Sequence, residues 1–185
     1  MFKRLFIAVI ICCFSVGAYA QTIDINLSED SAQIMLKLLI SEEIFDYSEF
    51  NTMFLYTTDS QLGSVGFDVY GELEFVPNLE LGAGAKFYGG NADGSDVMSL
   101  GLGIALRYTP PTLAGLVLSG TLYYSPEVVA FLDADRLFEA SFRVGYQIIP
   151  KATVYIGYRN IWTDIENGEK VTFDEGIHGG LEFRF

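Results

Sequence analysis

Cysteine, tryptophan and histidine are nearly absent from this chain. Its 185 residues include two cysteines, Cys12 and Cys13, one tryptophan, Trp162, and one histidine, His178. Both cysteines fall within the first twenty residues, which read as a removable leader. The remainder then has no thiol, no disulfide and no cysteine-based metal site. Positive charge is also scarce: eleven basic residues face 24 acidic ones, a net charge of −13. Without Lys3 and Arg4 the imbalance is nine against 24, a net charge of −15. Nucleic acid is thereby excluded as a partner, because phosphate binding needs a basic surface that releases counterions. A third absence is any apolar run that could form a membrane-spanning helix of about 20 residues. No cofactor motif and no low-complexity linker interrupts the chain.

The amino end carries an export signal. Lys3 and Arg4 form a short basic region, Leu5 to Val16 an apolar core, and Ala18-Tyr19-Ala20 a small-x-small cleavage site before Gln21. This is the pattern of a secretory signal peptide. The expected organisation is a cleaved signal over residues 1–20 and a single domain over residues 21–185. Ile11 precedes Cys12 where a lipoprotein signal needs Gly or Ala, so lipidation is not expected.

The carboxyl end alternates. Ile177, Leu181, Phe183 and Phe185 fall on one side of a strand, and His178, Gly180, Glu182 and Arg184 on the other, since successive strand side chains point to opposite faces. Leu181, Phe183 and the terminal Phe185 have the form of the signal that outer-membrane barrels present to the insertion machinery. The same period recurs upstream. Met98, Leu100, Leu102, Ile104, Leu106 and Tyr108 alternate with Ser99, Gly101, Gly103, Ala105 and Arg107; Phe138, Ala140, Phe142, Val144, Tyr146 and Ile148 alternate with Glu139, Ser141, Arg143, Gly145 and Gln147. A helix would instead group residues three and four apart.

Segments of this kind cover residues 48–58, 63–76, 79–89, 96–109, 114–125, 136–149, 151–164 and 174–185, each long enough for a tilted strand to cross a bilayer. Residues 22–47 read in two ways. A hairpin there makes ten strands, the first pairing with the last; a short amphipathic helix over 32–45 leaves eight or nine. Even counts are the norm in single-chain barrels, which favours ten. The fold expected is all-β, a transmembrane antiparallel up-and-down β-barrel of ten strands, eight being the alternative. Short Pro-bearing turns at 76–78, 109–112 and 149–151 alternate with longer acidic loops at 58–62, 90–95, 125–135 and 164–173. Turn length then assigns the Pro turns to the periplasm and the acidic loops to the outside. A soluble periplasmic barrel is the rival at the level of fold, with apolar residues inside and charges outside.

Several stretches together have a familiar order: Tyr123-Tyr124-Ser125-Pro126-Glu127-Val128 with Leu132-Asp133-Ala134-Asp135-Arg136, then Val144-Gly145-Tyr146, Val154-Tyr155-Ile156-Gly157-Tyr158-Arg159 and Asp174-Glu175-Gly176-Ile177-His178. The chain resembles the YfaZ family of outer-membrane barrels. That resemblance implies a fold and a bacterial outer-membrane location and carries no activity over; outer-membrane lipid, and the barrel-insertion machinery that the terminal Phe185 addresses, are the expected partners.

The alternation predicts the lumen. Asp68, Glu72, Glu74, Glu80, Glu139 and Glu182 share the inward face with Lys86, Arg107, Arg143, Arg159 and Arg184. In a narrow barrel these charges are expected to pair across the interior, with a polar pore or proton path as the competing reading. His178, expected near the outer end of the last strand beside Asp174 and Glu175, is the one candidate for catalysis by a lipid-modifying rim enzyme. A hydrolase also needs a serine in hydrogen-bond reach. Ser95, Ser99, Ser125 and Ser141 stand in no nucleophile motif, so the expected reading is a histidine satisfied by the nearby acids and no catalytic residue. The loops Asn91 to Asp96 and Asp164 to Glu169 gather oxygen ligands without the spacing of a calcium loop, and no metal site is expected. Asp133, Asp135 and Arg136 are expected to cap a loop end by ion pairing, or to contact a ligand. Tyr88, Tyr108, Tyr123, Tyr124, Tyr146, Tyr155, Tyr158 and Trp162 are expected to form interfacial girdles. The whole reads as a monomeric outer-membrane barrel in a structural or surface-binding role, the alternatives being a narrow pore and a rim enzyme.

Overall fold

The computed structural model describes residues 21–41, 47–165 and 170–185; the export signal, residues 42–46 and residues 166–169 lie outside them. Eleven strands are present: β1 (Gln21–Leu27), β2 (Ser31–Ser41), β3 (Tyr47–Thr57), β4 (Ser60–Glu72), β5 (Leu79–Ala92), β6 (Ser95–Tyr108), β7 (Leu116–Ser125), β8 (Ala130–Leu132), β9 (Ala134–Ile149), β10 (Ala152–Ile165) and β11 (Lys170–Arg184). Ten of them pair antiparallel in a closed ring, β1 meeting β11. The three-residue β8 is an accessory that continues the β6 ladder beyond the point where β7 stops. Closure leaves the ring without a sheet edge along most of its circumference.

Residues 22–41 form a hairpin, with Thr22 opposite Lys37 and Leu27 opposite Ala32. The alternation decides this against a helix. Asp24, Asn26, Ser31 and Gln33 are buried in the interior while Ile25, Leu27 and Ile34 are exposed on the outer wall, an arrangement that only a period of two delivers.

The outer wall is apolar around the ring. Phe67, Phe87, Leu102, Ile104, Phe142, Ile156 and Ile177 all stand exposed, whereas the fully buried side chains include Arg159, His178, Asn26 and Asp24. This is the inverse of a soluble barrel and matches a wall that faces lipid.

All strands run between two ends. The terminal end carries Gln21 and Arg184 and the connections 73–78, 109–115 and 150–151; the other, the acidic end, carries the connections at 28–30, 58–59, 93–94 and 126–133. The expected contrast in turn length does not hold. β3 to β4 and β5 to β6 turn in two residues each, because the strands run to Ser60 and Ala92, past the limits set by Leu62 and Gly90. The Asp93-Gly94 turn has φ of 47° and 88°, the left-handed pair that a tight hairpin requires. Both ends mix lengths: 126–133 at the acidic end is the longest connection described, 73–78 and 109–115 at the terminal end come next, and 150–151 there has two residues. Asn78, at φ 62°, accepts from the Thr109 amide at 3.1 Å and ties the 73–78 and 109–115 turns together.

Candidate functional site

The lumen is where this barrel departs from a generic wall of strands, and it is layered. At the acidic end Leu55, Leu62, Ala92, Val97, Ala134, Leu137, Ile161 and Phe173 project inward from seven strands and pack into one buried apolar cluster. It reaches down to Met35, Met53, Tyr88 and Tyr123. With Ser125 and Thr163 buried on either side of Leu137, this mostly apolar layer disfavours water and forms a stopper.

Beneath it lie two buried polar networks. In one, Lys86 Nζ donates to Glu139 Oε1 at 3.0 Å and Tyr88 Oη to Glu139 Oε2 at 2.6 Å. Lys86 also stands 4.1 Å over the Tyr123 ring, whose hydroxyl donates to Asp68, and Asn51 Nδ2 donates to Asp68 Oδ2 at 2.5 Å. In the other, Arg159, 1% exposed, donates through Nε to Asp174 Oδ2 at 2.6 Å, through Nη1 to Asn26 Oδ1 at 2.8 Å and to Gln33, and through Nη2 to Ser31 Oγ at 3.0 Å. Arg143 and the Tyr155 hydroxyl both donate to Asp24. Charges this deep are tolerable only when every one is paired and hydrogen-bonded.

Toward the terminal end a third group is wetter. Arg107 Nη2 pairs with Glu182 Oε1 at 3.1 Å, Lys37 Nζ lies 3.6 Å from Glu182 Oε2, and Tyr47 Oη donates to Glu80 Oε2 at 2.6 Å. These side chains line a vestibule of about 190 Å³, which shares Lys37, Tyr47, Glu49, Arg107 and Glu182 with the lining of a central cavity of about 80 Å³. The central space takes a few water molecules and no sugar-sized solute.

Of the residues that the alternation places in the lumen, Asp68, Glu80, Lys86, Arg107, Glu139, Arg143, Arg159 and Glu182 are there. Three are displaced to the rim. Glu74 lies exposed in the turn after β4, which ends at Glu72, so the strand parity no longer applies to it. Glu72 accepts from the Asn78 amide at 2.9 Å and holds that turn. Arg184 is half exposed, 3.8 Å from Glu182. Tyr88, Tyr123 and Tyr155 are not girdle residues; their parity turns them inward, where each phenol meets a carboxylate. Tyr56, Tyr124 and Tyr146 do stand exposed on the outer wall.

His178 is not at the rim. It is 1% exposed inside the barrel, edge-on to Tyr155 with ring centroids 5.9 Å apart, and neither ring nitrogen has a hydrogen-bond partner among the described residues. The acids beside it in sequence do not satisfy it. Asp174 bonds to Arg159, and exposed Glu175 accepts from Tyr158 Oη at 3.2 Å. Ser99 and Ser125 are buried with unpartnered hydroxyls, and Ser141 shares a 2.8 Å hydrogen bond with Thr121. No serine donates to the imidazole, so the arrangement of a serine hydrolase is not assembled among the described residues.

At the acidic end Arg136 Nη2 pairs with Asp164 Oδ2 at 3.0 Å across the β9–β10 ladder. Asp133 joins the loop to β6, its amide donating to Asp96 O and its carboxylate accepting from the Asp96 amide, both at 3.1 Å. Asp135 stands half-buried at the start of β9. Asn91 Nδ2 donates to Asp96 Oδ1 at 3.0 Å, which makes that pair a hairpin clasp. The other acidic loop lies largely outside the described residues. Phe183 and Phe185 meet edge to face at 5.1 Å at the terminal end, with Leu181 on the outer wall.

Closed antiparallel ring, apolar exterior and charged interior define an outer-membrane β-barrel. The chain belongs to the YfaZ family, whose model, described as YfaZ precursor, matches residues 3–185. Among solved structures it is similar to the KdgM porin in complex with disordered oligogalacturonate, with a TM-score of 0.51 and 7% identity over 90% of this chain and 99% of that one. The outer membrane protease OmpT from Escherichia coli gives 0.47 and 14% over 90% and 93%, and the NanC porin 0.45 and 12% over 92% and 96%. Identities this low speak for the fold alone. No curated protein matches the sequence.

Proposed function

We propose that this protein is a stoppered barrel of the bacterial outer membrane, exported with removal of residues 1–20, that acts as a structural or surface-binding element and not as a conduit. The terminal end faces the periplasm and the acidic end the outside, and the barrel works as a monomer in contact with outer-membrane lipid after delivery by the insertion machinery. The observation that carries this reading is the apolar cluster spanning the lumen above two paired charge networks. Ten strands enclose little more than their own side chains. One observation favours a narrow pore instead: the vestibule and the central cavity adjoin and share five lining residues. They form a blind cup as long as the stopper holds.

Conductance in planar bilayers tests the choice. The refolded protein is expected to give no steady current, and Leu62→Gly combined with Leu137→Gly is expected to open one by removing the middle of the stopper. A steady conductance of the unaltered chain that changes when Arg107, Arg143 or Arg159 is neutralised would establish the pore.

A further inference from the structure

The ladder that closes the barrel stops partway up. β1 pairs with β11 from Thr22 opposite Arg184 to Leu27 opposite Gly179, and no further. Above Gly179, β11 continues from His178 to Lys170 with β10 as its only strand neighbour among the described residues. The opposite edge of Val171 to Ile177 thus carries backbone donors and acceptors with no ladder partner. Side chains span the seam instead: Ser28 Oγ lies 3.5 Å from Asp174 Oδ1, and Arg159 reaches from β10 to Asn26 and Ser31 of the first hairpin. The upper part of the stretch stands clear of the apolar belt. Its outward residues Thr172 and Glu175 are exposed and polar, whereas Ile177 and Leu181 below them are the apolar wall.

We propose that this free edge of β11, Val171 to Ile177, is a strand-addition site for an extended, basic peptide segment of a partner protein. An unpaired edge is a template for another strand. Seven residues at about 3.3 Å each span about 23 Å at most, interrupted at Phe173, where β11 bulges against β10 between Ile161 and Trp162. Charge selects the occupant. Glu29 and Asp30 in the adjoining hairpin turn and Glu175 on β11 are exposed acids, while the nearby cations are engaged, Lys170 over the Trp162 ring at 4.4 Å and Arg136 with Asp164. A second copy would bring the same exposed acids, Glu29, Asp30 and Glu175, to the seam, and like charges in close opposition are destabilising. The proposal names the partner for the surface-binding role and rests on that reading. A steady conductance would defeat that role and leave the edge measurements below unchanged.

The test uses the refolded chain in detergent micelles with three labelled octapeptides: alternating Lys-Val, alternating Glu-Val, and Lys-Val with proline at two alternate positions. Binding is read by anisotropy and located by amide hydrogen exchange. The Lys-Val peptide is expected to bind at least tenfold more tightly than either control and to slow exchange within 171–177. Glu175→Lys is expected to weaken it several-fold while the folded barrel keeps its gel mobility. The proposal is overturned by any of four outcomes: slow exchange across 171–177 in the free protein, equal binding of the Glu-Val or proline peptide, tight binding without protection there, or protection that rises with protein concentration alone, which would assign the edge to a second copy.

Discussion

Arg159→Met is the substitution on which the layered lumen makes its sharpest demand. The guanidinium is 1% exposed and holds Asp174, Asn26, Gln33 and Ser31 together from three separate strands. Its removal leaves Asp174, itself 8% exposed, as a buried charge with no cation. Breaking a buried pair from one side costs about 3–5 kcal/mol, because the remaining charge has lost both water and partner. With a urea slope of about 2 kcal/mol per molar, that lowers the unfolding midpoint by about 2 M. Adding Asp174→Leu should return most of the loss, since replacing both members by apolar groups is often neutral or better. Trp162, the single tryptophan, sits three residues along the same strand and reports the transition by fluorescence in micelles. A loss below about 1 kcal/mol in the single variant, or a double variant no better than the single, would mean that the lumen is wet enough to screen the pair and that the buried-network account is wrong.

Gly84→Ala is expected to destabilise by about 1–3 kcal/mol, as overpacking does, because its Cβ would sit 2.5 Å from the Phe67 carbonyl oxygen and against Asp68. Gly89→Ala, whose Cβ would meet nothing within 4 Å, is the control expected to stay within about 0.5 kcal/mol; equal losses in urea titrations would refute the packing argument. His178→Phe keeps the ring edge against Tyr155 and removes two unpartnered nitrogens, so stability should hold or rise by about 1 kcal/mol, and outer-membrane lipid composition should not change. A marked loss of stability would show that the imidazole has a water partner; altered lipid would revive the enzyme. In the outer-membrane fraction the unboiled protein should migrate differently from the boiled one, since a closed ladder survives mild detergent until heated. An unshifted band in the soluble fraction would remove the protein from the membrane.

The alternation of β6 and β9 carried the fold, and the same parity carried most of the lumen, because a half-polar strand allows only one way to face lipid. Where it failed, a second signal competed. Tyr88, Tyr123 and Tyr155 are legible as inward residues from the polar or small residues of the same parity, Lys86, Thr121 and Gly157, but a tyrosine near a strand end also suits a headgroup, and composition alone does not choose. Glu74 was assigned by carrying the parity past Glu72 into a turn. Asp24, Asn26 and Gln33 went unassigned because the apolar residues of 32–45 fit a helical face as well as a strand. His178 was misplaced in depth: sequence gives a face, and the height of a residue in a barrel depends on the stagger between strands, which no local pattern encodes. The stopper was equally hidden, since its leucines and isoleucines lie near strand ends where the two periods and the turn overlap.

The position of that stopper has a consequence for the envelope as a whole. On the proposed reading, a cup open only toward the terminal end would displace lipid without adding a leak, so copies could accumulate without lowering the barrier to antibiotics and detergents. Overproduction is then expected to leave susceptibility to bulky solutes where it was.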